Sequence, residues 1–420
     1  MNLTKQGRIA DSDRGSPAES PPNRVRVLVV DDSALMRRLL CDLLTQSGEI
    51  EVVGTARDGR EAVLQTARLK PDVITLDVEM PEVSGLEALP SLLSIHDAPV
   101  LMVSALTQAG ADITLQALEL GAFDFLPKPE RNQLAEMRAC RDLLVSKVLT
   151  AAQSRIRRGR RGTIPPRDDF ARFSARPTAS PSSLSSPQVE SVASEESTSR
   201  LGRSRGSSEP ATSAAVGCIV IGISTGGPQA LSQVFPLLKS PLAPILVVQH
   251  MPMQFTGVFA ERLNRCSSLT IREAADGDPV LPDQVLIAPG GRHMCLVGHP
   301  PRVRVALTDD PPVSGHRPSV DVLFQSAARI YQSGAVGIIM TGMGRDGVEG
   351  CKAILAAKGF TLGQDEASSA VFGMNKAAFL EGFIKRQFAL EELAAILSNI
   401  AAVRVETERD SSSGHPAVGL

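Results

Sequence analysis

The sequence predicts an α/β protein of two domains, each built on a mainly parallel sheet with helices on both faces. From Val25 onward, short apolar runs alternate with longer segments of helical periodicity, and the same alternation starts again at VGCIVIGI, residues 216–223. A stretch rich in Ser, Pro, Arg and Gly separates the two series. The chain has 420 residues, whereas a single core rarely grows beyond about 250 residues. We therefore expect an N-terminal (βα)5 domain and a C-terminal doubly wound domain.

Changes in composition indicate where the domains begin and end. The first domain is expected over residues 24–142 and the second over residues 215–404. Residues 143–214 contain few large apolar side chains, as in SARPTASPSSLSSPQ, and cannot bury enough apolar surface to offset their ordering entropy. We expect a flexible Ser/Arg/Pro-rich linker there, and a disordered tail over residues 405–420.

Composition also excludes several classes of protein. The formal net charge of -2 provides no overall attraction to nucleic acid or to an anionic membrane. The six cysteines form no CxxC pair, which favours a reducing cytosol and argues against zinc. No apolar run approaches the ~20 residues of a membrane span, and the N-terminus lacks an apolar signal region. We expect a cytoplasmic protein without nucleic-acid partners or membrane insertion. The arginine cluster at 157–161 leaves contact with acidic partners open, beside the simpler interpretation of a solvated linker.

Charged residues stand at the ends of predicted strands in the first domain. Asp31 and Asp32 follow VRVLVV, Asp77 ends DVITLD, and Lys128 follows AFDFLP. The carboxyl ends of parallel strands form one crevice, so these side chains should converge there. Clustered carboxylates suit a hard cation such as Mg²⁺, and Asp77 could then attack a phosphoryl group while Lys128 neutralises its charge. Ser104, after APVLMV, is placed to bind a phosphoryl oxygen; each Asp alone could equally be a helix cap.

The stretch 25–129 resembles response-regulator receiver domains in VLVVDDSALMR, TLDVEMPEVSGLEAL, VSALT and GAFDFLPKP. This resemblance implies phosphorylation of Asp77 by a histidine kinase. It also implies a switch in which Ser104 moves onto the phosphate and Phe125 repacks. Ser84 stands where such domains commonly have an acidic residue. The implied Mg²⁺ ligands are Asp32, Asp77, the backbone carbonyl of Glu79 and, through water, Asp31.

A second candidate site surrounds Ser224 in the C-terminal domain. Gly222, Ser224 and Gly226 form a G-x-S-x-G pattern after the apolar run CIVIGI, and such glycines permit a sharp strand-to-helix turn that exposes the hydroxyl. Amides at the following helix N-terminus could stabilise an oxyanion. The alternative is a dinucleotide phosphate loop. However, the next strand, PILVV, ends in Gln249 and His250, where a dinucleotide site needs an acidic residue.

A serine nucleophile needs a base, and an imidazole titrates near neutral pH. His250 follows an apolar strand and should lie at the same sheet edge as Ser224. His293 follows QVLIAPGG, another strand end, and remains the competing candidate. His316 is expected in a polar loop before RPSVDVLF.

The base in turn needs a buried carboxylate to orient it. Asp346 follows AVGIIMTGMGR and should lie at the sheet edge, although on its own it could equally be a turn residue. Asp321, before VLFQSAA, is expected to cap or open a helix. The order Ser, His, Asp differs from the Ser, Asp, His order of α/β-hydrolases, so that superfamily is not the match.

Residues 216–402 resemble the catalytic domain of the chemotaxis protein-glutamate methylesterases, the CheB family. The residues that carry the resemblance are GISTGGPQAL, VVQHMP, APGGRHM, HRPSVDVLF, TGMGRDG and DEASSAVFGMNKAA. The resemblance implies Ser224 as nucleophile, His250 as base and Asp346 as the orienting acid of a hydrolase-type α/β domain. It places backbone oxyanion donors near Thr225 and Met343. This chain departs from the family in having Asn at 375, where Pro is common, and in its longer linker.

The combined resemblance implies a phosphorylation-regulated serine esterase. Its substrates would be glutamate methyl esters on methyl-accepting chemoreceptors, with deamidation of receptor glutamines as a second activity, in chemotaxis adaptation. The fusion suggests that the unphosphorylated receiver covers the hydrolase crevice. An adaptor without catalytic activity that docks receptors is the alternative. A DNA-binding output would need a helix-turn-helix or basic surface, and the C-terminal half has no such pattern.

Overall fold

A computed structural model describes residues 24–128, 134–161 and 216–400, with side chains over 140–155 of the middle range. The predicted two-domain α/β architecture is confirmed. The first domain is a five-stranded parallel sheet of order β2-β1-β3-β4-β5. Its elements are β1 (Val25–Val30), α1 (Ala34–Thr45), β2 (Ile50–Ala56), α2 (Gly59–Leu69), β3 (Val73–Asp77), α3 (Gly85–Ile95), β4 (Val100–Ser104), α4 (Gln108–Glu119), β5 (Asp124–Pro127) and α5 (Leu134–Arg161).

Local chemistry explains how the strands of this domain lead into its helices. The Ser33 hydroxyl accepts a hydrogen bond from the Met36 amide and so caps α1. Ser84 forms a capping box with Glu87 at the start of α3, which accounts for a serine at this position. Next to it, a Cβ on Gly85 would lie 1.9 Å from the Asp77 carbonyl oxygen, so only glycine fits. These contacts hold the loop after β3 against the acidic end of the sheet.

The predicted boundary at residue 142 differs from the structure, because α5 continues through it to Arg161. Leu144, Val148 and Ala151 are at most 1% exposed and pack with the β1 residues Val27 and Val29. These apolar positions recur at helical spacing, but the basic residues that follow them resemble linker composition. The remainder of the predicted linker, 162–214, and the predicted tail, 405–420, lie outside the described residues.

The second domain has a seven-stranded parallel sheet of order β14-β13-β12-β6-β7-β9-β8. An antiparallel pair, β10 and β11, stands apart from it. The elements are β6 (Cys218–Ile223), α6 (Gly227–Val234), β7 (Ile245–Gln249), α7 (Met253–Cys266), β8 (Thr270–Glu273), β9 (Gln284–Ile287), β10 (His293–His299), β11 (Arg302–Thr308), α8 (Val320–Tyr331), β12 (Ala335–Ile339), α9 (Val348–Ala356), β13 (Phe360–Gln364), α10 (Met374–Leu380) and β14 (Arg386–Phe388).

The apolar segment VRVALT does not belong to the parallel sheet. It forms β11, whose residues alternate between exposed and buried at its start, and it pairs with β10. A strand with one solvated face is typical of antiparallel pairs, and a short connection cannot make a parallel crossover. The short strands β8, β13 and β14 were not predicted.

The two domains meet along one continuous apolar region. Helix α4 packs on α6 and α7, and buried residues of both domains belong to one core cluster. Arg262 of α7 bridges to Asp112 and Glu119 of α4 at 2.8 and 2.5 Å. In α6, the Gln229 side chain donates to the carbonyls of Leu118 and Ala122. The receiver-like domain therefore lies directly against the C-terminal ends of β6 and β7.

The burial of Leu144 predicts that α5 is part of the folded core. Leu144→Ala should lower the free energy of unfolding by about 2–5 kcal/mol, because the deletion leaves a cavity. Leu143→Ala, at a neighbouring position that is 38% exposed, is the matched control and should cost roughly 1 kcal/mol or less. Urea unfolding followed by circular dichroism measures both, and equal shifts of the two midpoints would contradict the assigned packing of α5.

Candidate functional site

Ser224 and His250 come directly after two neighbouring parallel strands. In the pairing of β6 with β7, Ile223 lies opposite Gln249. The His250 amide extends this pairing by donating to the Ile223 carbonyl at 3.1 Å. The register therefore brings the two predicted side chains to the same edge of the sheet, as the sequence indicated.

The turn that carries Ser224 is held by glycines and by β12. The Ser224 amide donates to the Thr341 carbonyl at 2.9 Å, and the Gly227 amide donates to the Ser224 carbonyl at 2.8 Å. Gly226 has a φ of 78°, in the left-handed region that favours glycine. At Gly342, a Cβ would lie 2.7 Å from the Ser224 Cβ. The G-x-S-x-G prediction of a sharp strand-to-helix turn is thus matched by the backbone.

Asp346 is the third residue of the cluster. The His250 Nε2 lies 2.8 Å from the Asp346 Oδ2. The carboxylate also accepts the Ser319 hydroxyl at 2.7 Å and the amides of Val320 and Asp321 at 2.7 and 3.1 Å. These donors form the N-terminus of α8, whose unpaired amides and positive dipole end favour an anion. Asp346 is 1% exposed and is therefore a buried, fully engaged carboxylate, not a surface turn residue.

The charge of Asp346 is maintained despite its burial. Burial raises the pKa of this carboxyl, but the hydrogen bonds from His250, Ser319 and Val320 outweigh it, so its pKa lies below the usual value. At Asp321 the effect of burial on the pKa outweighs that of the hydrogen bonds. Its Oδ1 accepts the Gly347 and Gly350 amides at the start of α9, yet burial raises its pKa to about 6. The expectation that Asp321 serves helix capping agrees with these bonds, although the helix it caps is α9.

The second ring nitrogen of His250 is available for chemistry. Nδ1 is buried and has no hydrogen-bond partner among the described residues. Since Asp346 accepts the Nε2 proton, Nδ1 carries the lone pair. His250 and Ser224 line the same cavity of about 410 Å³. An acceptor nitrogen and a serine hydroxyl therefore share one enclosed space.

Two backbone amides beside Ser224 are unused. Within the described part of the chain, neither the Thr225 nor the Met343 amide donates a backbone hydrogen bond. Both residues line the Ser224 cavity. The pair named from the sequence therefore lies where a developing oxyanion could be bound.

His293 and His316 lie in different surroundings. His293, the competing base, is 1% exposed, and its Nδ1 accepts the Ser319 amide at 3.2 Å while its Nε2 faces the Pro311 carbonyl. It supports the start of α8 and is not among the residues that line the Ser224 cavity. His316, which was predicted to lie in a polar loop, stacks on His250 with ring centroids 3.8 Å apart. The only signal for it was its position at the head of HRPSVDVLF.

At the other sheet, the predicted acidic residues converge. Oxygens of Asp31, Asp32 and Asp77 all lie within 4.8 Å of one another. The Lys128 Nζ donates to the Asp77 Oδ2 at 2.6 Å and lies 3.2 Å from the Asp31 Oδ2, an oxygen that makes no hydrogen bond. Burial raises the pKa of Asp77 to about 6, against the lowering effect of Lys128. Three clustered carboxylates, of which Asp31 and Asp77 are buried and Asp32 is exposed, offer the hard oxygen donors that Mg²⁺ prefers. The Glu79 amide lies 3.4 Å from the Asp77 Oδ1 at the rim of this group.

Of the two predicted switch residues, Ser104 contacts its own domain and Phe125 contacts the second domain. The Ser104 side chain is fully buried and donates weakly to the Gly110 and Ala105 carbonyls at 3.3 Å. Phe125 stacks on Phe255 of α7, with centroids 4.4 Å apart. The aromatic switch position is thus engaged by the other domain.

The two residues with unused amides, Thr225 and Met343, make side-chain hydrogen bonds to the first domain. The Thr225 hydroxyl donates to the Asp124 Oδ2 at 2.7 Å, and Lys147 of α5 pairs with the same oxygen. The Met343 sulfur accepts the Ser146 and Thr150 hydroxyls of α5. Residues of the first domain also line the Ser224 cavity, namely Phe125, Pro127, Leu143 and Lys147.

The chain is similar to proteins of known families. A family described as CheB methylesterase matches residues 219–397, and the response regulator receiver domain matches residues 27–138. The chain is 41% identical over 389 residues to the protein-glutamate methylesterase/protein-glutamine glutaminase 2 of Koribacter versatilis, covering 92% of this chain and 98% of that protein. It is 41% identical over 375 residues to the protein-glutamate methylesterase/protein-glutamine glutaminase of Bacillus licheniformis, covering 89% and 97% of the two chains. The crystal structure of the Thermotoga maritima CheB methylesterase catalytic domain is 37% identical, covers 45% of this chain and 98% of that chain, and has a TM-score of 0.43.

No helix in the described ranges combines the length and apolar character that crossing a bilayer would require.

The lowered pKa of Asp346 predicts a specific dependence of stability on pH. Because the folded state favours the ionised carboxyl, its stabilisation is complete above the unfolded pKa of about 3.9 and is lost as pH falls through the lower folded pKa. Asp346→Asn removes this titration, so its urea midpoint should fall less than that of the unmodified chain between pH 5 and pH 3. Parallel midpoint curves for the two proteins would show that Asp346 is not held ionised by the fold.

Proposed function

The chain belongs to the CheB methylesterase family and carries a response-regulator receiver domain, and we propose that Ser224, His250 and Asp346 hydrolyse glutamate methyl esters. The observation that carries this proposal is the bond between His250 Nε2 and Asp346, which in the neutral ring leaves Nδ1 as the acceptor nitrogen, in a residue that lines the same cavity as Ser224. Sheet register and the N-terminus of α8 hold the three groups in that arrangement.

In the first half of the reaction, the Ser224 hydroxyl attacks the ester carbonyl carbon. Its proton passes to His250 Nδ1, and Asp346 stabilises the resulting imidazolium. The amides of Thr225 and Met343 bind the oxyanion of the tetrahedral intermediate. The imidazolium then protonates the departing methoxide as the C–O bond breaks, which releases methanol and leaves an acyl-enzyme.

In the second half, water repeats the attack. His250 Nδ1 takes a proton from the water, the acyl bond to Ser224 breaks, and the serine oxygen recovers that proton. The products are a free glutamate side chain and the resting enzyme. With a glutamine side chain as substrate the same steps release ammonia, in keeping with the glutaminase activity named for the relatives.

We further propose how the receiver domain controls this site. A histidine kinase supplies the phosphoryl group that Asp77 accepts. Asp32, Asp77, the Glu79 carbonyl and, through water, Asp31 would hold Mg²⁺, which would supply positive charge to neutralise that group. Lys128 contributes a second positive charge, and the buried Ser104 hydroxyl exchanges its weak carbonyl contacts for a phosphoryl oxygen.

Control of the oxyanion amides is the second part of this regulation. Asp124 immediately precedes the switch residue Phe125 and binds the Thr225 hydroxyl. Movement of β5 after phosphorylation would therefore release Thr225 and open the cavity that α5 and β5 cover. The unphosphorylated chain is the covered, less active state.

The proposed substrates are methyl-accepting chemoreceptors, and the proposed role is adaptation in chemotaxis within the cytoplasm. An adaptor without catalysis would need no ionised Asp346 and no free Nδ1. Covalent labelling of Ser224 by a serine-reactive phosphonate separates these two functions, because an adaptor would leave Ser224 unlabelled.

Replacement of the nucleophile tests the proposed chemistry. Ser224→Ala should reduce methanol release from methylated chemoreceptors by at least about 10³-fold, because the variant lacks the nucleophile. Ser398→Ala, at an exposed serine remote from the cavity, is the matched control and should keep full activity. Near-normal methanol release by purified Ser224→Ala would refute the assigned nucleophile.

The proposed control by Asp124 predicts a constitutively more active variant. Losing a hydrogen bond to a charged group costs about 1.5–3 kcal/mol, so Asp124→Ala should raise the activity of the unphosphorylated chain by about tenfold or more. Its further stimulation by a phosphodonor should be correspondingly smaller.

Asp72→Ala is the control for the Asp124 variant. Asp72 also pairs with α5, through Arg155 at 3.0 Å, but neither residue lines the Ser224 cavity. Its basal activity should stay at the level of the unmodified chain. Equal activation by both variants would indicate general loosening of α5 and not a contact at Thr225.

A further inference from the structure

His316 forms the most regular ring contact in the Ser224 cavity. Its imidazole lies parallel to that of His250, with an interplanar angle of 3° and ring centroids 3.8 Å apart. The loop before α8 is held in place on both sides. Val313 and His316 exchange two backbone hydrogen bonds, and the Gly291 amide donates to the Arg317 carbonyl. The ring that covers His250 is therefore presented by an ordered turn.

The geometry of the base requires such a contact. The hydrogen bond from Nε2 to Asp346 fixes one atom of the His250 ring, but the ring could still tilt about that bond. Nδ1 has no partner of its own among the described residues, so nothing on that edge restrains it. A flat surface parallel to the ring removes the remaining tilt. The stack and the hydrogen bond together define where Nδ1 points.

His316 is suited to this role because it stays uncharged. Three titratable groups face it: His250, Asp346 and Lys147. The pKa of His316 is lowered to about 4, chiefly by burial and also by the neighbouring charges of His250 and Lys147, against the raising effect of Asp346. Two imidazolium rings at stacking distance would repel, so only one of them is protonated at a time. Because Asp346 bonds His250, the proton of the catalytic cycle stays on His250.

We propose that His316 is a positioning residue, which holds the imidazole plane of His250 so that Nδ1 meets the Ser224 hydroxyl. This inference rests on the proposed function of the triad and assigns His316 no contact with substrate and no proton transfer. A small misplacement of a catalytic group can cost up to about 10²-fold in rate. We expect loss of His316 to lower kcat and not to change KM, since binding of the substrate does not depend on the plane of the His250 ring.

The test compares variants of the full chain, activated with Mg²⁺ and acetyl phosphate, in methanol release from methylated chemoreceptors. His316→Ala should lower kcat by about 10- to 100-fold with little change in KM. His316→Phe keeps a flat ring without nitrogen atoms and should recover most of kcat. His316→Gln keeps polar atoms but no ring and should resemble the Ala variant. The acid limb of kcat/KM, which reports the base, should persist in the Phe variant.

The comparison of His316→Phe with His316→Gln tests the proposed positioning role even if His316→Ala does not fold. Gln more active than Phe would overturn the proposal, because His316 would then act through its nitrogen atoms. Full activity of the Ala variant would overturn it as well. Failure of the proposed function looks different: the unmodified chain itself would release no methanol, or would release it equally with Ser224→Ala.

Discussion

In the catalytic domain, the N-terminus of α8 binds the carboxylate of Asp346 and the N-terminus of α9 binds the carboxylate of Asp321. These reciprocal hydrogen bonds support the site. Asp346, which stands just before α9, accepts the first amides of α8, and Asp321, in the first turn of α8, accepts amides of α9. Each helix thereby satisfies amides that would otherwise be buried without partners. The concentration of positive dipole ends also keeps Asp346 ionised where burial opposes it. His250 is oriented by a group whose charge the fold itself maintains.

The parts of the site that sequence could predict are those governed by sheet topology. Ser224 and His250 end adjacent parallel strands, and any parallel pairing in register brings them together. Glycine spacing around Ser224 indicated the turn for the same reason. The acidic group of the receiver followed from three strand ends in one sheet. Hydrophobic periodicity and the strand ends were sufficient to predict these positions, because the local geometry of a parallel sheet determines where the residues after each strand lie.

The remaining features depend on contacts between segments with no common pattern. His293 also follows a strand end, that of β9, but it is itself the first residue of β10 in the antiparallel pair, and its Nδ1 accepts an amide at the start of α8. His316 meets His250 through a loop whose path no periodicity describes. The extension of α5 was missed because its apolar positions are followed by a basic, linker-like composition. Tertiary packing, and not local propensity, decides each of these.

The face of the receiver domain formed by α4, β5 and α5 is occupied by the catalytic domain of the same chain. Phe125 and Asp124 bind Phe255 and Thr225 without any second molecule. The proposed equilibrium between covered and open states is therefore intramolecular, and its equilibrium constant is dimensionless. Its value does not change with the amount of protein in the cell, and no inhibitor has to be synthesised in proportion. Any partner that uses this face must compete with a neighbour permanently tethered beside it.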